Sequence, residues 1–154
     1  MSRKKNRKIG GIYLLVVDDT AEFSVAIDYA SDFAKANNGQ LALLNVIEID
    51  QIGHWVGVEG KMRKERRDQA EKMIWQAAGR ITERTGLLPM VCIEEGSRSE
   101  AVLDTIERYP DIRMLILGGD SNSSSPGPLV TYFAGKGLAR LRVPLLIVPG
   151  HLEI

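Results

Sequence analysis

Residues 114–132 have the sequence Met-Leu-Ile-Leu-Gly-Gly-Asp-Ser-Asn-Ser-Ser-Ser-Pro-Gly-Pro-Leu-Val-Thr-Tyr. The stretch begins with an apolar run that is typical of a buried strand, and it continues through two glycines into a segment rich in Ser, Gly and Pro. From about Leu129 the apolar residues recur at helical spacing, and a second apolar run follows at Pro144–Pro149. Strand, loop, helix and strand in this order predict one unit of a parallel sheet.

The same alternation extends over the rest of the chain. Apolar runs at Ile12–Val17, Leu41–Ile47 and Met90–Glu94 predict three more strands, and amphipathic stretches between them predict the intervening helices. Among these, a long charged helix is expected from about Met62 to Thr85, and the last helix is expected to run unbroken from Leu129 past Leu138. Five strands separated by four helices predict an α/β fold, a three-layer α/β/α sandwich around a five-stranded parallel sheet.

Composition limits the class of protein. The chain has 154 residues, equal numbers of acidic and basic side chains, and one cysteine. We expect a basic N-terminal tail at residues 1–10 and a single domain at residues 11–150. A neutral charge balance gives no reason to expect nucleic acid as a partner, and no apolar run is long enough to suggest a membrane span. A lone cysteine fits a reducing compartment, so cytoplasmic localisation is the expectation.

Several well-known chemistries are excluded by the residues at the strand ends. The first strand is followed by Asp18-Asp19-Thr20, without the glycines of a dinucleotide-binding fingerprint, and the chain has no P-loop triplet. A phosphorylated signalling receiver would need an acceptor Asp and a Lys after later strands, and neither is found. The two histidines, His54 and His151, are not placed for a nucleophile triad or a metal site. We therefore expect no enzyme and no metal.

The ordered set of motifs resembles the universal stress protein family. In that family a short strand leads into Gly-x-x-Gly, nine residues and Gly-Ser or Gly-Thr, before a helix and a final strand that starts with Pro. Leu115–Gly118 matches the strand and first glycine, and Pro144–Val148 matches the closing strand. Val16–Thr20 looks like the family's opening, in which a strand ends with Asp. The resemblance spans most of Ile12 to Pro149 and implies the strand order 3-2-1-4-5 of adenine nucleotide alpha hydrolase-like folds.

The resemblance also implies a nucleotide site, here in degenerate form. Counting the family's spacing from Gly118 places Ser121 at the second glycine, Thr131 at the third and Tyr132 at the hydroxyl residue. The family would place Asp18 and Leu41 near base and ribose. The implied cofactor-binding residues are Val17, Asp18, Leu41, Gly118, Ser121, Thr131 and Tyr132.

The departures from the family pattern bear on phosphate binding. Glycines let backbone N–H groups approach phosphate oxygens, and Ser121, Thr131 and Tyr132 all restrict that approach. The sequence therefore predicts weak or absent ATP binding, with ATP or AMP as the only cofactor candidates. The alternative is a substitute cradle built from the hydroxyls and amides of Ser121 and Ser123–Ser125.

The expected function follows from the family and from the last strand. The leading expectation is a non-enzymatic stress-response regulator or binding module that acts through protein partners, whose identity the sequence does not give. The alternative is an ATP- or AMP-binding member of the same family. The family commonly pairs through its last strand, and Leu145 to Val148 would be a bare apolar edge. A homodimer through this strand is therefore expected.

Overall fold

The structure, a computed structural model, describes residues 10–48 and 59–153. The expected basic tail at residues 1–10, apart from Gly10, and His54 lie outside the described residues. The strands are β1 (Ile12–Val16), β2 (Gln40–Ile47), β3 (Met90–Glu95), β4 (Ile112–Gly119) and β5 (Leu145–Pro149). The helices are α1 (Phe23–Ala36), α2 (Glu59–Thr85), α3 (Arg98–Arg108) and α4 (Pro128–Ala134), and a 3₁₀ turn follows at Lys136–Arg140.

The five strands form one parallel sheet in the order β3-β2-β1-β4-β5, which confirms the expected fold. The first strand is central: Leu15 pairs with Leu43 of β2 on one side and with Ile116 of β4 on the other. After β1 the chain adds β2 and β3 on one side of this strand, and it then returns to add β4 and β5 on the other side. That reversal of strand order opens a crevice between the carboxyl ends of β1 and β4.

Alternate residues of the strands build two separate cores. Tyr13, Leu15 and Val17 pack with α1 and α2 on one face of the sheet. Leu14 and Val16 pack with α3 and α4 on the other face. Because both faces of the central strands are covered, these strands are apolar along their whole length, which is the pattern seen in the sequence.

Helix α2 packs one apolar stripe against the sheet. Its buried residues are Ala70, Ile74, Ala77, Ala78 and Ile81. The exposed side of α2 is charged and holds the helix to α1 through two arginine–carboxylate pairs, Arg80 with Asp28 and Arg84 with Asp32. No helix in the described part of the chain is both long and apolar enough to span a bilayer.

The last helix differs from the prediction. A single helix past Leu138 was expected, but α4 ends at Ala134, and Gly135 has the non-helical backbone angles φ −117° and ψ −113°. The chain continues as the 3₁₀ turn, in which Leu138 is 55% exposed rather than buried. Within that turn Gly137 lies against the Tyr132 ring, where a β-carbon would clash. The close approach of this ring to the backbone was not visible in the spacing of apolar residues.

Candidate functional site

Three cavities meet at Asp18 and Asp19, directly after β1. The first, which we call the loop cavity, has a volume of about 370 Å³ and lies between β1, the end of β4 and the segment that leads into α4. The second, the strand cavity, has about 340 Å³ and lies between the end of β2 and α2. The third, the helix cavity, has about 510 Å³ and lies between α1 and α2. Their meeting point is the carboxyl-end crevice at which ligands of such sheets bind.

Asp18 shapes the turn after β1. Its Oδ1 accepts a hydrogen bond of 2.6 Å from the backbone N–H of Thr20. Helix α1 begins later, after Glu22, and no side-chain cap bond is present at that end among the described residues. The side chains of Asp19 and Thr20 therefore do not cap α1. Asp18 instead holds an Asx-type turn with its carboxylate half-buried at the crevice.

The Ser-rich segment after β4 is hydrogen-bonded mainly to itself. Asp120 Oδ1 accepts the N–H of Asn122 at 2.8 Å, and the N–H of Asp120 donates to the carbonyl of Pro126 at 3.1 Å. The Ser123 hydroxyl donates to the carbonyl of Ser125 at 2.6 Å and accepts the N–H of Ser125 at 3.3 Å. Several amides and hydroxyls that a substitute phosphate cradle would need are thus already engaged within the segment.

Carboxylates dominate the charged lining of the loop cavity. Asp18, Asp19 and Asp120 all line it. The hydrogen bond from the Asn122 backbone N–H holds the pKa of Asp120 below its usual value, so this carboxyl is ionised at neutral pH. Among residues 10–48 and 59–153, the one basic side chain that lines the cavity is Arg98. The lining is therefore acidic overall.

The glycine at the start of α4 is Gly127, not the residue that the family's spacing predicted. Gly127 has φ +112° and ψ 159°, lines the loop cavity, and directly precedes Pro128, the first residue of the helix. Counting had placed Thr131 at this position. In the structure Thr131 lies one turn inside α4, where its N–H donates to the carbonyl of Gly127 at 3.0 Å.

Tyr132 points away from the crevice. Its hydroxyl accepts a hydrogen bond of 2.8 Å from Arg140, which also pairs with Glu100 of α3 at 2.7 Å. The Tyr132 ring packs edge-on against Phe133, with the ring centroids 5.0 Å apart. Neither Tyr132 nor Thr131 is among the residues that line the loop cavity, so their side chains do not narrow it.

The remaining predicted residues divide between the crevice and elsewhere. Gly118 lines the loop cavity, and Val17 lines the strand and helix cavities. Ser121 is exposed on the segment after β4. Leu41 pairs with Tyr13 near the amino-terminal end of β2 and is buried beneath α1 and α2, away from the carboxyl ends of the strands. The structure therefore does not bring Leu41 to the site.

Sequence reasoning missed residues that the structure does bring there. Asn45 and Val46, near the end of β2, line the strand cavity, and Asn45 Nδ2 donates to the carbonyl of Ala70 at 3.1 Å. An amide inside an otherwise apolar strand was the signal for Asn45. Arg98, the first residue of α3, lines both the strand and loop cavities. No local pattern distinguishes Arg98 from other exposed arginines, because its role depends on how α3 packs.

The comparisons with known proteins agree with this geometry. The model of the universal stress protein family matches residues 12–149. The chain belongs to the universal stress protein family. A search of curated protein sequences finds no significant match.

Solved structures of universal stress proteins share the fold. Universal stress protein UspA from Lactobacillus plantarum is similar at 16% identity with a TM-score of 0.73, covering 90% of this chain and 97% of that protein. A universal stress protein in complex with cAMP has 15% identity and a TM-score of 0.63, covering 91% and 97%. The Archaeoglobus fulgidus protein in complex with dAMP has 12% identity and a TM-score of 0.54, covering 89% and 95%. At these identities the likeness concerns the fold.

Proposed function

We propose that this chain is a non-enzymatic binding module of the universal stress protein family that binds ATP weakly or not at all. The observation that carries the proposal is the acidic lining of the loop cavity, where three carboxylates face one arginine. A triphosphate would bring several negative charges close to Asp18, Asp19 and Asp120. Like charges at short range disfavour binding, and they do so more strongly where solvent is partly excluded.

The backbone gives a second reason to expect weak ATP binding. Phosphate sites in loops rely on free N–H groups that converge on the anion. Here the N–H groups of Asp120, Asn122 and Ser125 donate within the segment itself. Binding a triphosphate would require these bonds to be exchanged, which lowers the net gain.

Equilibrium titration calorimetry tests this proposal. ATP and AMP, each with Mg²⁺, would be titrated into the full chain at physiological ionic strength. We expect no submicromolar affinity for ATP and no ATP hydrolysis above background. Submicromolar binding of ATP would refute the proposal, since it would show that the segment opens to receive phosphates despite its internal hydrogen bonds.

A second candidate function is adenine nucleotide binding through the altered segment. It is favoured by the two adjoining cavities at the crevice, by the glycines Gly118 and Gly127 at the loop cavity, and by the family relatives solved with cAMP and dAMP. Measurable AMP affinity with weak ATP affinity would make the two candidates compatible. Comparable tight binding of both nucleotides would favour the second candidate alone.

We further propose that the chain forms a homodimer through β5 and acts on protein partners in the cytoplasm. This strand lies at one edge of the sheet, and its residues Leu145, Leu146 and Ile147 are half-exposed. An apolar edge with unpaired backbone groups invites pairing, which a second copy would satisfy symmetrically.

Light scattering at micromolar concentration tests the dimer. We expect the mass of a dimer for the native chain and a shift toward monomer for Leu146→Lys, because a charge on this edge opposes pairing. Val91→Lys is the matched control, since Val91 lies on the opposite edge strand β3 and, like Leu146, packs partly against the α1 and α2 core. A monomeric native chain would overturn the dimer, and equal effects of the two variants would overturn the choice of edge.

A further inference from the structure

Arg98 lies where the strand cavity and the loop cavity adjoin. It is the first residue of α3, and it lines both cavities together with Asp18 and Asp19. The strand cavity is large enough, at about 340 Å³, to take a planar base, and the loop cavity is of similar size. An elongated ligand that occupied both cavities would pass this guanidinium.

The present partner of Arg98 holds it only weakly. Its Nε lies 3.5 Å from Glu48 Oε1, and both side chains are substantially exposed, at 36% and 53%. Exposed ion pairs of this kind contribute little, because solvent screens the charges and two long side chains must be ordered. Exchange of the Glu48 carboxylate for an anionic group of a ligand therefore costs little.

The other charges near Arg98 set a limit on the ligand. Asp19 and Asp120 line the loop cavity beside it, and no second basic side chain among residues 10–48 and 59–153 lines that cavity. One guanidinium neutralises about one phosphate through paired N–H donors. Arg66 lines the strand cavity but not the loop cavity, so each additional phosphate in the loop cavity would lie against carboxylates without a second cation lining that cavity.

We propose that Arg98 receives the phosphate of a bound nucleotide and limits the crevice to ligands that carry a single phosphate group. The inference rests on the proposed function, since it concerns the same site, and it deepens that function by naming the ligand class: nucleoside monophosphates rather than triphosphates. The segment after β4 contributes the wall of the loop cavity in this arrangement, and the guanidinium takes over the role of anion recognition.

Calorimetry of the full chain with adenosine, AMP, ATP and inorganic phosphate as separate probes tests the inference. We expect AMP to bind more tightly than adenosine and ATP in the native chain. Arg98→Ala should weaken AMP binding roughly 10- to 100-fold, which is the range for loss of a charge-assisted hydrogen bond. Adenosine binding should be unchanged in this variant, and Arg98→Lys should restore part of the AMP affinity.

Arg108→Ala provides the matched control. Arg108 lies at the other end of α3 and forms a comparable exposed ion pair with Glu94 at 3.1 Å, away from the two cavities. We expect this variant to bind AMP like the native chain. Raised salt should weaken AMP binding and leave adenosine binding unaffected, because the contact is partly exposed.

Three results would overturn the inference. They are equal loss of AMP and adenosine affinity in Arg98→Ala, AMP binding no tighter than adenosine or ATP in the native chain, and no binding of any adenine probe up to about 1 mM. The comparison of AMP, adenosine and ATP affinities in the native chain needs no variant, so it tests the inference even if Arg98→Ala fails to fold. Absence of adenine binding would leave the proposed function standing, whereas submicromolar ATP binding would defeat both.

Discussion

Replacement of Gly127 by Ala is expected to destabilise the fold, and the structure allows the effect to be estimated. Gly127 has φ +112° and ψ 159°, a backbone region that is essentially restricted to glycine. A non-glycine residue held there costs roughly 1–3 kcal/mol. Alanine also restricts the unfolded chain, which offsets roughly 0.4–1 kcal/mol of that cost. The net loss in the free energy of unfolding should be about 1–2 kcal/mol.

The local environment makes this a clean test of backbone conformation. No described atom lies within 4 Å of the position that a β-carbon on Gly127 would occupy, so steric overlap adds nothing to the cost. Gly79→Ala is the matched control, because Gly79 also has open space around its β-carbon position. Gly79 lies inside α2, however, where alanine should stabilise the helix by roughly 0.5–1 kcal/mol.

Urea denaturation and thermal melting measure both variants. For a chain of this size the expected loss in Gly127→Ala corresponds to a melting temperature lower by about 2–8 °C. The melting temperature of Gly79→Ala should instead be higher than that of the native chain. If Gly127→Ala proved as stable as Gly79→Ala, the positive φ at the start of α4 would not constrain this residue, and the assignment of Gly127 as the structural glycine of the segment would be refuted.

Three further predictions concern single side chains. Ser121→Gly should raise ATP affinity only if the lost glycine limits binding, and Thr131→Gly should bring no gain because Thr131 lies inside α4 away from the loop cavity; calorimetry of both variants checks this. Ser31→Ala should raise the free energy of unfolding by roughly 1 kcal/mol, since the buried Ser31 hydroxyl has no hydrogen-bond partner among the described residues; urea denaturation checks it. Acid should weaken the fold through Asp32 and Glu100, whose pKa values lie below the ordinary 3.8 and 4.5 because of hydrogen bonds from Arg84 and Arg140. The stabilising contribution of these two carboxylates is complete above their ordinary pKa values and is lost as the pH falls through the lowered pKa values. The free energy of unfolding, measured between about pH 7 and 2.5, should therefore decline on the acid side.

The structure brings two residues that the resemblance implied, Asp18 and Gly118, to the same cavity. Each of them lies at the carboxyl end of a strand or directly after it. Residues directly after parallel strands are brought to one edge of the sheet by the strand direction alone. Their approximate location therefore follows once the strands have been identified.

Other implied residues lie away from the cavities. Thr131 was placed by counting the family's spacing along a loop, and loops tolerate changes in length; in the structure Thr131 lies inside α4, which begins at Pro128. Leu41 was assigned by the resemblance, but it stands at the amino-terminal end of β2, away from the edge at which the carboxyl ends of the strands form the crevice. Arg98 was missed because an exposed arginine gains significance only from the cavities beside it.

The sequence by itself determined the parallel sheet and its covering helices, because continuous apolar strands and amphipathic helices bury their surfaces efficiently in that arrangement. It also determined that Ser, Gly and Pro follow β4. Only the tertiary structure decided what that segment does. There Asp120 accepts a hydrogen bond from Asn122, and Ser123 bonds to Ser125. Gly127 directly precedes α4, and Arg98 comes from a distant part of the chain to line the cavity with the carboxylates. Charge at a site depends on which residues packing brings together, and sequence order does not specify those neighbours.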